Sequence, residues 1–201
     1  NGICGMVDVG DHYSNDLQKQ ADCRKKIREA SNILLELINE VLDMSKLESG
    51  EILLEEKPFD VYKTINDVMD LVSRQADERG IKVEQTIEIE HRKLLGSSLY
   101  LKRMLMNILS NAVKYNKDYG NIDLSCKEIP SHSTESTMLE FTCRDTGIGM
   151  SSGFKEHVFE SFAREQKGGA SKFGGTGLGM TITKNLAEKM GGTITFESER
   201  D

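Results

Sequence analysis

Between Ile27 and Met44, apolar or small residues recur at Ile27, Ala30, Leu34, Leu37, Val41 and Met44, alternately three and four apart. Only an α-helix puts such residues on one face, and the alternation is the seam of a coiled coil or helical bundle. Leu35, Ile38 and Leu42 widen the stripe toward a four-helix bundle. Gly2 to Val9, with Ile3, Met6 and Val7, reads as the end of an earlier helix, and Gly10, Asp11, Ser14 and Asn15 supply the turn. Two helices cannot bury this stripe alone. The expectation for residues 1–50 is a helical hairpin, half of a dimeric four-helix bundle completed by a second copy. Arg24, Lys25, Lys26 and Arg28 read as its solvated basic face.

Ser49-Gly50 breaks the long helix, and residues 51–201 change character. Strands are read at Ile52–Lys57, Ile81–Ile89, Ile122–Ile129, Met138–Arg144 and Thr193–Ser198. Helices are read from Asp60, as a cap, to Arg79, over Leu99–Tyr115, and over Thr176–Met190. Met150 to Phe173, rich in Gly, Lys and Ser, reads as a mobile loop with short helices. The fold class is α+β: a helical hairpin followed by an α/β sandwich with a mixed sheet. The 26 Lys and Arg against 33 Asp and Glu give a net charge of −7, which argues against nucleic acid as a partner. The four cysteines form no CxxC pair, so neither a metal cluster nor a disulfide framework is expected. No apolar run reaches a membrane span; attachment to a membrane would come only through segments outside these residues, and the setting expected is cytoplasmic.

Three features carry chemistry. On the helix from Leu99 to Tyr115, Leu101, Leu105, Ile108 and Ala112 face a core, while Asn107, Asn111 and Lys114 fall opposite, four and three apart. Two amides one turn apart and an ammonium suit a hydrated Mg²⁺ and its phosphates; a polar surface stripe accounts for this helix equally well. Asp145-Thr146-Gly147-Ile148-Gly149 follows a strand and offers a carboxylate to an exocyclic amine; alone it reads as a turn. Gly174-Gly175-Thr176-Gly177-Leu178-Gly179 leads into a helix, where backbone N–H groups meet an anion; alone it reads as a flexible loop. Their order along one chain is far more specific than any one of them.

In that order the sequence resembles the ATP-binding domain of bacterial sensor histidine kinases, in the superfamily shared with gyrase, mismatch-repair and chaperone ATPases. Asn107-Ile108-Leu109-Ser110-Asn111-Ala112-Val113-Lys114-Tyr115 resembles the N box, and Asp145-Thr146-Gly147-Ile148-Gly149 the first glycine box. Val158-Phe159-Glu160-Ser161-Phe162 resembles the F box, and Gly175-Thr176-Gly177-Leu178-Gly179 the second glycine box. Leu42 to Gly50 is similar to the second dimerisation helix and its exit. The resemblance implies a Bergerat-type fold, ATP and Mg²⁺, and a two-component kinase that phosphorylates a bundle histidine and then a response-regulator receiver domain. It implies that Asn111 holds Mg²⁺ with Asn107 beside it. Lys114 and Tyr115 would reach the phosphates and ribose, and Asp145 the adenine amine. Gly147, Ile148 and Gly149 would lie beside the base. Gly175, Thr176, Gly177, Leu178 and Gly179 would meet the phosphates. Phe159 and Phe162 would anchor the lid, and Arg164 would meet the γ-phosphate. Asn107, Lys114 and Arg164 form the expected catalytic set.

The family's acceptor histidine would lie just before Asn1, so no phosphoacceptor is expected among His12, His91, His132 and His157. A final strand after Ser198 is expected to be missing. Arg103 stands where the family usually has Gln or Glu. Two other functions compete. A stand-alone ATPase of the gyrase type would need a carboxylate one turn before the metal residue, where this chain has Asn107. An inactive core would serve only as a dimerisation and docking module.

Overall fold

The computed structural model describes residues 2–50, 56–130, 136–165 and 175–200. The chain divides into two compact units, Asn1–Ser49 and Gly50–Asp201.

The first unit is a helical hairpin. Helix α1 (Gly2–His12) and helix α2 (Leu17–Glu48) are joined by a tight turn. Asp16 caps α2, its carboxylate accepting from the Lys19 amide at 3.0 Å. The Gly10 carbonyl accepts from the Gln20 side chain, and Gly10 is buried against Cys23. The Lys19 ammonium lies 3.5 Å from the Tyr13 ring centre, closing the turn. The stripe reads as expected along α2, but the hairpin does not cover it. Ile33, Leu34, Leu35, Ile38, Val41 and Leu42 are 46–59% exposed.

The second unit holds strand β1 (Lys57–Asp60), helix α3 (Val61–Asp77), strands β2 (Lys82–Glu88) and β3 (Lys93–Gly96), and helix α4 (Ser98–Lys114). Strands β4 (Asn121–Ile129) and β5 (Met138–Asp145), the short helix α5 (Ser152–Lys155) and helix α6 (Gly179–Lys189) follow. β4 pairs parallel with β2 and antiparallel with β5, giving the mixed sheet that was expected. β1 and β3 form a separate antiparallel pair. Alternation on β4 points Ile122, Leu124 and Cys126 inward and Asp123 and Lys127 outward. Against them pack Val61, Ile65, Val68 and Val72 of α3 and Leu101, Leu105 and Leu109 of α4. Asp60 caps α3 by accepting from the Lys63 amide at 3.0 Å. That bond, with the Arg92 guanidinium 2.7 Å away, holds its carboxyl below the usual range.

Four expectations are corrected. β1 runs through Pro58 to Asp60; proline is tolerated because among the described residues this is a two-stranded ladder, both of whose strands are edges. Residues 52–55 of the expected first strand lie outside the described residues. β3 escaped the sequence reading because four residues are too few to show alternation. Thr193–Ser198 alternates as a strand does, yet it joins no ladder with a described strand; alternation specifies a face and not a partner. Helix α6 begins at Gly179 and not Thr176, because Gly177 has φ +77°, outside helical geometry.

Candidate functional site

Helix α4 is the organising element. Its buried face, Leu101, Leu105, Leu109 and Ala112, fixes its rotation in the core. That rotation brings Asn107 to α6. The Asn107 amide nitrogen donates to the Gly179 carbonyl at 3.0 Å and the Thr183 hydroxyl at 3.2 Å. Asn111, one turn later, is half-buried. The Lys114 ammonium reaches the second glycine loop, 2.6 Å from where a Cβ on Gly175 would stand, and lies 4.8 Å from the Tyr115 ring centre.

The C-terminal end of α4 is held by residues that the sequence reading missed. Arg79, from the end of α3, donates to the carbonyls of Val113 at 2.6 Å and Asn116 at 2.7 Å and pairs with Asp118 at 2.8 Å. A guanidinium on the last carbonyls of a helix satisfies acceptors that have no intrahelical partner. The side chain of Asn116, buried, donates to the Asn121 carbonyl at 3.1 Å and accepts from the Thr146 hydroxyl at 3.1 Å. Thr146 in turn accepts from the Asn121 amide at 2.9 Å. This network ties the end of the N box to the start of the first glycine box. A turn-forming Asn and a helix-ending Arg are legible in sequence; their long-range acceptors are not.

The first glycine box leaves β5 at Asp145. One Asp145 oxygen accepts from the Gly147 amide at 2.8 Å, and the carboxylate stays exposed. The Ile148 amide donates to the Tyr115 carbonyl at 3.0 Å. A Cβ on Gly147 would stand 2.6 Å from that carbonyl oxygen, so only glycine allows this approach. Gly149 lies against the Glu199 backbone, and the Met150 amide donates to the Ser198 hydroxyl at 2.9 Å. Burial and the neighbouring carboxylates Asp145 and Asp123 push the Cys143 thiol up to about 12, which favours its protonated form.

The second glycine box is bonded to the F box. The Phe162 amide donates to the Gly177 carbonyl at 3.1 Å, and a Cβ on Gly177 would stand 2.8 Å from the Phe162 backbone. The Thr181 hydroxyl donates to the Phe159 carbonyl at 2.9 Å, and the Phe159 ring meets Phe196 edge-on at 5.6 Å. Thr176 accepts from the Leu178 amide at 3.2 Å. Leu178, the cap position of α6, is buried and gives no side-chain cap to the first turn. Arg164 stands exposed two residues beyond Phe162. Of the expected lid, Met150 to Phe173, the described part carries the short helix α5, and residues 166–173 lie outside the described residues, as does Gly174.

The structure therefore gathers the N box and both glycine boxes around α4. The donor set fits a nucleotide: an exposed carboxylate, a helix start whose cap residue offers no side-chain acceptor, and an ammonium beside a glycine loop. It fits Mg²⁺ only as an ion that shares phosphate oxygens, since the described residues hold no cluster of three or more His, Cys, Asp or Glu. The described histidines have local partners: His12 meets the Tyr13 ring, His91 pairs with Glu128, and His157 pairs with Glu160.

The chain belongs to the histidine kinase-, DNA gyrase B-, and HSP90-like ATPase family, which matches residues 96–201. It is 34% identical over 181 residues to the signal transduction histidine-protein kinase BarA of Escherichia coli K12, covering 90% of this chain and 20% of BarA. The chain thus spans about a fifth of that relative's length. The crystal structure of full-length ShkA in complex with AMPPNP is similar over 99% of this chain and 40% of ShkA, with TM-score 0.76 and 25% identity. Histidine kinase ThkA, in complex with response regulator protein TrrA, shares the fold over 94% of this chain and 50% of its own, with TM-score 0.68 and 19% identity. No helix among the described residues is long and apolar enough to cross a membrane.

Proposed function

We propose that this chain is the catalytic core of a two-component sensor histidine kinase. Residues 1–50 form the dimerisation part and residues 51–201 the ATP-binding part. It binds Mg-ATP and transfers the γ-phosphoryl to a bundle histidine outside residues 1–201, from which it passes to a response-regulator aspartate. One observation carries the reading: a single helix, α4, touches both glycine loops, at Gly179 and Gly175 through side chains and at Ile148 through the Tyr115 carbonyl. Such a contact set is what a nucleotide spanning base and phosphates requires.

When bound, ATP supplies the phosphoryl group and Mg²⁺ neutralises part of its charge. The chain's own residues do the rest. Asp145 accepts from the base amine, and Gly147, Ile148 and Gly149 bring backbone against the ring. Thr176, Gly177, Leu178 and Gly179 direct amides at the phosphates. Asn111 offers one oxygen to the metal. Lys114 and Arg164 place positive charge where the γ-phosphoryl accumulates negative charge during transfer. Phe159 and Phe162 fix the segment that carries Arg164. A homodimer through α2, a receiver domain as partner and a cytoplasmic setting belong to the same reading. The stand-alone ATPase is disfavoured because Asn107 is no base and its amide faces α6.

The test is labelling with γ-labelled Mg-ATP. The chain 1–201 is expected to bind nucleotide and acquire no phosphohistidine. A longer protein that includes the upstream helix should acquire acid-labile, base-stable label. Label on His12 or His157 would overturn the acceptor's placement. Absence of label on the longer protein, with nucleotide bound, would favour the docking module.

A further inference from the structure

We propose that Asn107 is a positioning residue: its amide nitrogen sets the first turn of α6, and with it the amides of the second glycine box. This rests on the nucleotide reading above. Three polar groups form a closed triangle. The Thr183 hydroxyl, buried, donates its one proton to the Gly179 carbonyl at 2.8 Å. Its oxygen is then left to accept, and the Gly179 carbonyl accepts only. Asn107 approaches both, at 3.0 and 3.2 Å, so the atom it presents must be the nitrogen with its two protons. The network therefore assigns the amide orientation. The amide carbon also packs 3.4 Å from where a Cβ on Gly179 would stand, flat against the α6 backbone.

The location gives this contact its effect. Gly179 is the first residue of α6 and directly follows Gly177-Leu178, and Leu178 supplies no side-chain cap. Thr176 aids only the Leu178 amide. The turn that faces the phosphates is thus held from behind by Asn107. It is also why an Asp at 107 would fail: a carboxylate has no proton for the Gly179 carbonyl and repels it.

The test combines amide hydrogen exchange of the nucleotide-free chain with calorimetry of ADP binding, with Mg²⁺ and with chelator. The exchange reporter is the Ile182 amide, whose 2.9 Å bond to the Leu178 carbonyl closes the first turn of α6. Asn107→Ala and Asn107→Asp are each expected to speed that exchange about tenfold and to weaken ADP about tenfold in both metal conditions. Thr183→Val should reproduce the defect, and adding it to Asn107→Ala should cost little more, since both act on one triangle. Thr183→Ser, which keeps the hydroxyl, should rescue. Thr183→Val also decides the matter should Asn107→Ala fail to fold. Unchanged exchange overturns the proposal, as does faster exchange with unaltered ADP affinity. Loss confined to the Mg²⁺ condition, with Asp tolerated at 107, would make Asn107 a metal ligand instead. A wild-type chain that binds no ADP would remove the nucleotide reading, and exchange alone would then judge the clip.

Discussion

Helix α3 and helix α2 carry similar apolar stripes and meet different fates. On α3, Val61, Ile65, Val68 and Val72 are at most 1% exposed, covered by α4 and the sheet. On α2, Leu34, Leu35 and Leu42 are 50–59% exposed. Burying a side chain of this size contributes about 1.5–3 kcal/mol, so one stripe has realised its contribution within the chain and the other has not. The second unit buries its stripe within one copy. On the first unit the stripe stays open, and the homodimer proposed above is what would cover it.

The sharpest way to break that contrast is by substitution on each stripe. Ile65→Ala should destabilise the second unit by about 2–5 kcal/mol in urea unfolding, because it opens a cavity in a closed core. Leu34→Glu with Val41→Glu should leave that transition in place and convert a dimer to a monomer in sedimentation, with nucleotide affinity kept. A wild-type chain that is monomeric at high concentration would mean that the stripe has some other partner.

The contrast also explains what the sequence could reveal. Periodicity found α2, α3 and α4, and the Asp60 cap was legible because capping is local. The three motifs were legible only through their order along the chain, since each alone reads as a polar stripe, a turn or a flexible loop. What escaped was long-range. Arg79 reaches the carbonyls of Val113 and Asn116, and Asn116 holds Thr146 across thirty residues. Asn107 read as a nucleotide residue by spacing, while its nitrogen lies on Gly179 and Thr183. Spacing shows which face a side chain occupies and not what the fold brings to meet it.

The smallest expected effect lies at the β2–β3 turn. Glu128 accepts from the amides of Glu90 at 2.8 Å and His91 at 2.9 Å, and from the His91 ring at 2.6 Å. The ring's hydrogen bond to Glu128 raises the His91 pKa above 6.5, and bonds from the His91 amide and ring lower the Glu128 carboxyl below 4.5. The imidazolium's contribution is full below 6.5 and fades as pH rises through the folded value. The carboxylate's contribution is present above 4.5 and fades as pH falls through its folded value. The pair therefore supports the fold most between those limits. Melting of His91→Gln across pH 4 to 9 should differ from wild type by a small deficit largest near pH 5 to 6, about the size of a surface ion pair. A deficit that grows above pH 8 would contradict the assignment.

The central claim is that the loops around α4 form a nucleotide site in which Asp145 reads the base. Calorimetric titration of the chain with Mg-ATP, wild type against Asp145→Ala, tests it most directly. Wild type is expected to bind, and the variant to lose on the order of 1–3 kcal/mol or more, at least about tenfold in affinity, because the base amine is left without its acceptor. Equal affinity in the two chains, with both folded, would contradict the account.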